Sequence, residues 1–474
     1  MNPHPSRGSI TLLVIIFGAI FFTLLMALSG FVLAQNRIQD VTRTRTESFT
    51  IAEAGLEYYR WFLSHFPGNT TNGTGHAGPY VVTYADPEYG TAGTYTLSIA
   101  SNSACGAVQS IDVTSTGVAS DTPTVSTTLV ARYAAPSVAA YSYIVGSSVW
   151  AGADRVINGP YHSNGGIRMD GTANAPVSSS LSTWSCDSSF GCSPTATKAG
   201  VFGAGSNQNL WAYPTPQVDF TGIAANFSSL KTTASASGIY LPRFSTSSGH
   251  NPNPHVGYHL IFNSNGTVTV KKVTKVTSLT VTPVNSADST TDYTLINTES
   301  NFQTSALPAS CGLIFVEDNT WIEGVIPSKV TVVVAGVADA TFKPDIVLTD
   351  NITYVATDGS DGLTVIGAHD ILIAPDSPQT MTLNGLFIAQ SGAFGRNLYS
   401  CSNGTYDPRG TLTILGTTVS NLRTGTRWVN GCGNGSDGGY QTRIDAFDRQ
   451  NSTNPPPFTP TTSTQWQFVD WQQK

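Results

Sequence analysis

The apolar residues of this chain form one long uninterrupted segment near the N-terminus, followed by many short β-prone stretches. Residues Ile10–Ala34 contain no Asp, Glu, Lys or Arg. A membrane-spanning helix needs about 20 such residues, whereas the apolar core of a cleaved signal peptide has about 7–15. The pattern therefore predicts a transmembrane helix over 10–34 behind a short leader, 1–9. A secreted form cut after the "VLA" of Val32–Ala34 is the less favoured alternative.

The helical pattern continues beyond the membrane segment. No proline occurs from Gln35 to Phe66, and Pro67-Gly68 follows as a stop signal. Apolar residues recur at steps of three and four, as on one face of a helix; they are Ile51, Gly55, Tyr58, Phe62 and Phe66. We therefore expect an amphipathic continuation over 35–66, so that one long helix presents an apolar face to a partner.

The residues after the helix predict that partner. Four stretches read as short strands joined by turn residues such as Asp-Pro, Gly and Asn-Ser, namely "PYVVTYAD", "GTYTLSIAS", "VQSIDVTSTGVA" and "TVSTTLVARYA". Apolar side chains alternate along the second stretch, at Tyr95, Leu97 and Ile99. The segment 67–135 is therefore expected to form a four-stranded antiparallel sheet on which the second half of the helix packs.

Three motifs stand out in the first 135 residues: "RGS" at Arg7–Ser9 ahead of the charge-free helix, "IAEAGLEYYR" at Ile51–Arg60, and "STG" at Ser115–Gly117. Together they resemble PilX-type minor pilins, which take part in type IV pilus assembly, and the second is close to an "AEAGLE" run of that family. The resemblance implies a structural subunit of a type IV pilus, with a place at its tip as the finer expectation. Its partners would be other pilin subunits and pilus assembly proteins, together with membrane lipid around 10–34.

The same resemblance implies a prepilin peptidase site at the bond between Gly8 and Ser9, because these peptidases cut after a glycine that precedes the apolar segment. Leu13 would then be the fifth mature residue, where major pilins carry a glutamate. The absence of that glutamate fits a minor pilin. The alternative for Gly8 is a small residue that merely begins the helix.

The basic residues that flank the apolar segment bear on topology. Arg7 precedes it, whereas Arg37, Arg43 and Arg45 follow it, so the positive-inside rule alone would leave the bulk of the chain in the cytoplasm. The low lysine content, the even number of cysteines and the Ser/Thr-rich strands favour the opposite. We expect a single-pass protein of the inner (cytoplasmic) membrane, with a cytoplasmic N-terminus, an extracytoplasmic bulk and a place in the pilus.

The region 136–310 is predicted to be β-rich, with a Ser-rich insertion at Ser178–Asn209, one helix, and a hairpin that turns at Asn265-Gly266. The helix is expected to end at Gly238. Its spacing aligns four apolar residues on one face: Phe220, Ile223, Phe227 and Leu230.

From 311 to 450, short apolar strands recur at uneven steps of about 15–20 residues, which indicates a parallel β-helix or solenoid. A β-sandwich is the alternative. The Pro-rich tail, 451–474, cannot continue a ladder. It is expected to form a strap over an open end, with Trp466, Phe468 and Trp471 plugging the last coil. The expected fold class is thus an α+β pilin-like module followed by a mainly β domain.

Composition narrows the functional classes. Only 11% of residues are charged and the net charge is −7, with one short basic stretch at Val270–Val276. Nucleic-acid binding depends on Lys and Arg and is therefore not expected. The sparse charge and abundant Ser, Thr, Gly and Asn suit an extracellular β-rich protein.

The cysteine count is even, at six, which favours disulfides in an exported chain. Cys186 and Cys192 flank a short closable loop. Cys401 and Cys432 lie in Gly/Asn-rich loops that could meet across an intervening strand. Connectivity does not follow from spacing, so the two remaining residues stay open as a third pair or as free buried thiols; they are Cys105 and Cys311.

The chain has no motif of a catalytic nucleophile, a phosphate-binding loop or a zinc site. His162 stands among turn residues, and a packing role is favoured over a catalytic one. Asp358–Gly362 and Asn434–Gly439 could offer oxygen ligands to calcium, but Asp-Gly is first a turn signal. We expect no enzyme, no cofactor and no metal. The alternative function is a membrane-anchored adhesin or glycan-binding β-helix protein outside any filament, and an extracellular carbohydrate-active enzyme ranks below both.

Overall fold

The computed structural model describes the chain as two compact units. The first lies within Met1–Ser101, Ile111–Tyr133 and Phe468–Lys474, and the second within Asn102–Ser110 and Ala134–Gln467. The residues described are 8–66, 68–86, 88, 90–220, 226–244, 255–286, 288–339, 341–401 and 404–474.

The first unit consists of one long helix and one sheet. Helix α1 (Gly8–His65) is followed by β1 (Tyr80–Asp86), β2 (Gly90–Ala104), β3 (Ala107–Ala119) and β4 (Ser126–Ala134). β1 pairs antiparallel with β2, and β3 pairs antiparallel with β4. The sheet has the order β1-β2-β3-β4 and a fifth strand beside β4, Gln467–Gln473.

The C-terminal half of α1 packs on this sheet because its apolar residues recur on one face. The buried apolar residues of this half are Ile51, Ala52, Leu56, Tyr59, Phe62 and Leu63. Two glycines permit a close approach of helix and sheet. A Cβ atom at Gly117 would lie 2.2 Å from the carbonyl oxygen of Ser48, and one at Gly55 would lie 2.3 Å from Ser115 Oγ.

The second unit is almost entirely β. Its first part follows a 3-10 turn (Val138–Ala140) and comprises β5 (Tyr143–Val145), β6 (Val149–Ala151), β7 (Arg155–Asn158), β8 (Tyr161–Ser163), β9 (Ile167–Met169), β10 (Thr172–Ala173), β11 (Val177–Ser179), β12 (Thr183–Cys186), β13 (Ala196–Ala199), β14 (Val201–Phe202) and β15 (Trp211–Ala212). Two further 3-10 turns are Ser188–Phe190 and Gln208–Leu210. Helix α2 (Phe227–Ser237) follows.

The second part of this unit contains its longer strands together with a few short ones. They are β16 (Ile239–Leu241), β17 (Gly257–Asn263), β18 (Thr267–Val281), β19 (Thr290–Ala306), β20 (Leu313–Val316), β21 (Asn319–Ile326), β22 (Lys329–Val334), β23 (Ile346–Tyr354), β24 (Gly362–Gly367), β25 (Ile371–Ile373), β26 (Thr380–Ala389), β27 (Phe394–Gly395), β28 (Arg409–Ser420), β29 (Arg427–Gly433) and β30 (Ser436–Ala446). Helix α3 (Arg449–Thr453) comes next, and the last strand, Gln467–Gln473, is β31.

Many of these strands pair in parallel with a strand from another pass of the chain, and we term each such pass a coil. One ladder has the order β16-β20-β22-β24-β26-β28-β5-β8-β11-β15. A second has the order β17-β21-β23-β26-β28-β30-β7-β10. β26 and β28 enter both ladders, and each carries a glycine at positive φ, +154° at Gly385 and +141° at Gly416, a conformation that side chains resist. A third, short ladder is β6-β9-β14.

The chain enters this stack in its middle. β5 pairs with β28, so that Tyr143 lies beside Thr418, and the coils continue from there to β15. The chain then crosses to the other end, where β16 and β17 begin the coils that return to β28 and β30. Residues 136–310 and 311–450 therefore share one stack, which corrects the predicted boundary between them.

The interior of the stack is lined by Ile, Val and Leu side chains from successive coils, such as Ile314, Val332 and Val365. The outward residues of β20 are also buried, because α2 packs on that strand: Leu230 lies in one cluster with Leu313. Strands that are apolar on both faces are typical of covered parallel sheets.

Helix α2 begins at Phe227, later than the spacing of apolar residues suggests. The reason is an N-cap: the side chain of Asn226 accepts a 3.0 Å hydrogen bond from a backbone N–H of the first turn. The helix ends at Gly238 as predicted. Phe220 precedes the helix, and Ile223 lies outside the described residues. The predicted hairpin at Asn265-Gly266 is formed by β17 and β18, which pair antiparallel.

The Pro-rich segment after α3 lies along the side of the stack and does not cover its end. Thr331 Oγ1, on β22, donates a hydrogen bond to the carbonyl oxygen of Pro457. The hydroxyl oxygens of Thr364, on β24, and Thr459 are 2.7 Å apart. The segment therefore crosses neighbouring coils, which corrects the predicted strap over an open end.

The last strand belongs to the first unit. In β31, the ring of Phe468 packs edge-on against Tyr133 at 5.8 Å, and that of Trp471 packs against Phe49 at 5.9 Å between centroids. The prediction that these two aromatic residues plug a coil is wrong, because their strand extends the antiparallel sheet to five strands beside β4.

Candidate functional site

The N-terminal half of α1 exposes a large apolar surface. Its side chains are free of charge from Ile10 to Ala34, and both Ile10 and Met26 are 72% exposed. The helix is long and apolar enough to cross a membrane. The surface of an ordinary soluble monomer rarely keeps a contiguous apolar patch of more than a few hundred Å². This half of the helix could therefore span a membrane.

A polar collar separates the exposed half of α1 from the packed half. Arg37, Arg43 and Arg45 lie in it, and Thr44 is the first residue in this region that is buried. One turn later the Ser48 hydroxyl, fully buried, lies 2.7 Å from the hydroxyl of Thr127 on β4. The collar marks the point at which the exposed apolar half of the helix ends and the half that packs on the sheet begins.

The packed half of α1 agrees in part with the predicted apolar stripe. Ile51, Gly55 and Phe62 are buried, Tyr58 is half-buried, and Phe66 lies beyond the end of the helix and is exposed. The pattern missed residues on the neighbouring edge of the same face, namely Ala52, Leu56, Tyr59 and Leu63.

Burial also perturbs the tyrosines of this interface. The Tyr59 hydroxyl donates a 2.9 Å hydrogen bond to the carbonyl oxygen of Asn69, and burial raises the pKa of Tyr59. Burial raises the pKa of Tyr95, on β2, to about 12. Both hydroxyls are therefore protonated at neutral pH and act as packed, uncharged groups.

The predicted processing site lies at the start of α1. Gly8 is the first residue of the helix, and residues 1–7 of the leader lie outside the described residues. Leu13 is 57% exposed on the apolar surface. Cleavage between Gly8 and Ser9 stays a prediction.

All six cysteines lie in described parts of the chain and all are paired. The pairs are Cys105–Cys311, Cys186–Cys192 and Cys401–Cys432. The first joins residues 206 apart in sequence, whereas the second closes a loop of 6.

His162 is buried within the first ladder, on β8. Its Nδ1 lies 2.9 Å from the hydroxyl of Ser178 on β11, and its Nε2 lies 3.0 Å from Asn164 Oδ1. Burial lowers the pKa of His162. A neutral ring with both nitrogens engaged connects successive coils and supports a packing role.

The first Asp-Gly stretch lies in a loop, whereas in the second only Asn434 and Gly435 form a turn and Asp437 lies at the start of β30. Asp358 accepts a 3.0 Å hydrogen bond from the backbone N–H of Ser360, and Asp361 accepts one of 2.6 Å from that of Ala356. In the second stretch, Asp437 forms a 2.6 Å ion pair with Arg427. The carboxylates considered as calcium ligands thus already have partners from the protein.

One other group offers metal-ligand atoms. Asp345, His369 and Asp370 place a nitrogen and two carboxylate oxygens within 4.8 Å of one another. His369 Nδ1 is 2.6 Å from Asp345 Oδ1, and this hydrogen bond raises the pKa of His369. Asp370 accepts a 2.7 Å hydrogen bond from the backbone N–H of Ala393, and burial raises its pKa. The arrangement supports a structural ion pair at the edge of the coils.

This chain is similar to a solved pilin structure, at low identity. No known family profile matches it, and no curated protein matches it. The similarity is to the crystal structure of the competence-associated pilin ComZ from Thermus thermophilus, with a TM-score of 0.33 and 12% sequence identity. It covers 91% of this chain and 97% of that chain.

Proposed function

We propose that this protein is a minor-pilin-like subunit of a type IV pilus, of the PilX type, and that α1 is its assembly helix. In the membrane the apolar half of α1 would lie in lipid. In the filament the same half would pack against the helices of other subunits. The N-terminus would face the cytoplasm, and the second unit would lie outside the membrane, with the pilus tip as its working position.

One observation carries the proposal: α1 runs without interruption from Gly8 to His65, exposed and apolar in one half and packed on a sheet in the other. A simple membrane anchor needs only about 20 residues. A helix that continues directly into a folded sheet instead fixes the direction of the apolar half relative to that sheet. Such a rigid link is what a subunit needs if its helix packs in register with those of its neighbours.

Processing between Gly8 and Ser9 is part of the proposal. The mature chain would then carry Leu13 at its fifth position. A buried carboxylate requires a charged partner. A chain that carries leucine instead of a carboxylate at this position is better suited to a few copies per filament than to the repeating shaft.

The second unit supports an extracytoplasmic location. We propose a β-helix-type fold for it, which its parallel ladders support. Three disulfides suit an oxidising compartment. The proposal assigns the chain no catalytic activity and no cofactor.

Incorporation into filaments tests the proposal. In its native cells, we expect the full chain to co-purify with sheared pili, and deletion of its gene to reduce pilus number or twitching. Ile16→Lys places a charge on the apolar half of α1, where Ile16 is 50% exposed, and should abolish co-purification. Val81→Lys is the control, because Val81 is 69% exposed on β1. A wild-type chain confined to membranes, or a deletion strain with normal pili, would refute the proposal.

A membrane-anchored adhesin or glycan-binding protein that never joins a filament is the second candidate. The exposed apolar half of α1 favours membrane residence in either case. This candidate predicts that the chain is found in the membrane fraction alone and that it keeps Met1.

A further inference from the structure

A cleft of about 760 Å³ opens on the second unit, within the usual size range of ligand pockets. Its walls come from segments that are distant in sequence: β6, the turn after β28, β29, and the loop closed by the Cys186–Cys192 disulfide. The disulfide loop contributes Ser188 and Ser189. The Ser-rich insertion therefore forms part of a cavity wall.

Two tryptophans line the cleft with their polar edges already engaged by the protein. Trp150 Nε1 donates a 2.8 Å hydrogen bond to Asp170 Oδ2, and the guanidinium of Arg168 lies 4.2 Å from the ring centroid. Trp428 Nε1 donates a 3.0 Å hydrogen bond to the carbonyl oxygen of Arg396. Both rings are half-buried. Their orientation is fixed before any ligand arrives, which lowers the entropy cost of binding.

Three arginines and one aspartate line the same cleft, in a chain whose net charge is −7. Asp154 holds two of the arginines. Arg443 makes hydrogen bonds of 2.7 and 2.9 Å to its two carboxylate oxygens, and Arg427 lies 3.0 Å from one of them. Arg427 also pairs with Asp437 at 2.6 Å, so the charges of these two guanidiniums are balanced by two carboxylates.

Arg423 differs from the other two arginines. One of its nitrogens donates a 2.9 Å hydrogen bond to the carbonyl oxygen of Ser189, and its guanidinium lies 4.6 Å from the ring centroid of Phe190. Within the described residues it forms no ion pair with a carboxylate. Burial lowers the pKa of Arg423, but an arginine stays protonated at neutral pH. The cleft thus holds a positioned cation with free N–H donors.

We propose that this cleft binds an acidic saccharide, that is, a sugar that carries a carboxylate. The apolar C–H face of a pyranose ring would pack on an indole ring. The sugar carboxylate would pair with Arg423, whose planar fork of donors suits a carboxylate. Sugar hydroxyls would meet the hydroxyl, amide and carboxylate side chains of the walls, among them Asp154, Ser188, Ser189, Asn285, Ser286 and Thr424.

The observations favour a saccharide over single-stranded nucleic acid. A nucleic-acid groove combines stacking rings with a row of cations along the phosphates. Here two of the three arginines are paired with Asp154, and Arg427 is paired with Asp437 as well, so that the cleft wall also presents a carboxylate to the ligand. The inference concerns the cleft alone, and it holds whether or not the chain joins a filament.

Binding to the detergent-solubilised full chain tests the inference. The probes are acidic oligosaccharides with matched neutral partners: sialyllactose against lactose, and trigalacturonate against its methyl ester. Tryptophan fluorescence and titration calorimetry report binding. We expect at least one acidic probe to bind at least about tenfold more tightly than its neutral partner, because a hydrogen-bonded charge pair is worth that much or more.

Arg423→Gln should weaken binding of that probe by at least about tenfold. Arg449→Gln is the matched control, because Arg449 is exposed on α3 and does not line the cleft. Binding of no acidic probe to the wild type, equal binding of the neutral partners, or unchanged binding in Arg423→Gln would each overturn the inference. Preferential binding of an oligothymidylate would overturn it too and would indicate nucleic acid instead.

Discussion

Helix α1 and its sheet approach each other closely at Gly117, and this contact yields a specific prediction. A Cβ atom at position 117 would lie 2.2 Å from the Ser48 carbonyl oxygen and 2.4 Å from the Ala52 backbone nitrogen. Ordinary contacts begin near 3.4 Å. Gly117→Ala would therefore force the helix about 1 Å away from β3, because neither clashing atom belongs to a side chain that can rotate.

The cost follows from this geometry. Overpacking a well-packed core by one methyl group typically costs about 1–3 kcal/mol, and a clash with two backbone atoms belongs at the upper end. We expect Gly117→Ala to lower the opening free energy of the first unit by about 3 kcal/mol, which speeds amide exchange by about a hundredfold.

Two further glycines calibrate the measurement. At Gly55 the clashing atoms belong to the side chains of Ser115 and Tyr95, which can yield, and alanine favours the helix by up to about 1 kcal/mol. The net loss for Gly55→Ala should therefore be smaller, about 1 kcal/mol. A Cβ atom at Gly30 meets nothing within 4 Å, so Gly30→Ala should cause no loss.

Hydrogen exchange read by mass spectrometry on the full chain is the appropriate assay, because it reports each unit separately and does not assume two-state unfolding. The peptides to follow are those of β3 and of the second half of α1. Equal protection in Gly117→Ala and Gly30→Ala would refute the account of how helix and sheet pack.

Three other kinds of contact predict the direction in which substitutions change stability: a buried ion pair, the disulfides and a histidine–aspartate hydrogen bond. Asp445, on β30, forms a buried 2.6 Å ion pair with Arg155, on β7. Because Asp445→Ala would leave the Arg155 charge buried without its partner, it should destabilise the second unit by about 3–5 kcal/mol in urea unfolding. A loss of stability no larger than that caused by the exposed Asp288→Ala would contradict this. Cys105→Ser opens a ring of 206 residues and should cost about 2–5 kcal/mol. Cys186→Ser opens a ring of 6 and should cost less, and calorimetry that finds the reverse order would count against the account. His369 donates a hydrogen bond to Asp345, and this bond raises the pKa of His369 above 6.5. The contact therefore contributes its full stability below that pH and loses it as the pH rises through the raised pKa. The Tm difference between wild type and His369→Asn should therefore be largest at about pH 6 and fade in alkaline solution, whereas a difference independent of pH would contradict it.

Helix α1 is largely predictable from the sequence because its signals are local. A charge-free apolar run, the absence of proline and a following Pro-Gly define its length. The spacing of Ile51, Gly55 and Phe62 locates the buried face, whereas the full width of that face depends on the sheet. A stripe read at steps of three and four misses residues such as Leu56 and Tyr59 on its edge.

The order of the coils is not predictable in this way, because parallel ladders join residues that are distant in sequence. Thr418 lies beside Tyr143, and no local sequence pattern predicts that pairing. The uneven spacing of the strands has the same origin, since the chain enters the stack in the middle and fills it in two passes.

The position of the C-terminal strand and the composition of the cleft are not predictable either, because both depend on contacts between residues distant in sequence. Phe468 and Trp471 lie in a short, largely exposed strand, and the sequence does not reveal which sheet edge that strand joins. The cleft is lined by residues from separate parts of the chain, among them Trp150, Arg423 and Trp428. Single aromatic and basic residues form no motif until the fold brings them together.

The mature N-terminus tests the central claim, that this chain is a pilus subunit, most directly. Mass spectrometry of the full chain isolated from its native cells would measure it. The account predicts a chain that begins at Ser9, and loss of that cleavage in Gly8→Arg. A wild-type chain that keeps Met1 would indicate a plain membrane anchor, and one that begins at Gln35 would indicate a secreted protein; either result would contradict the account.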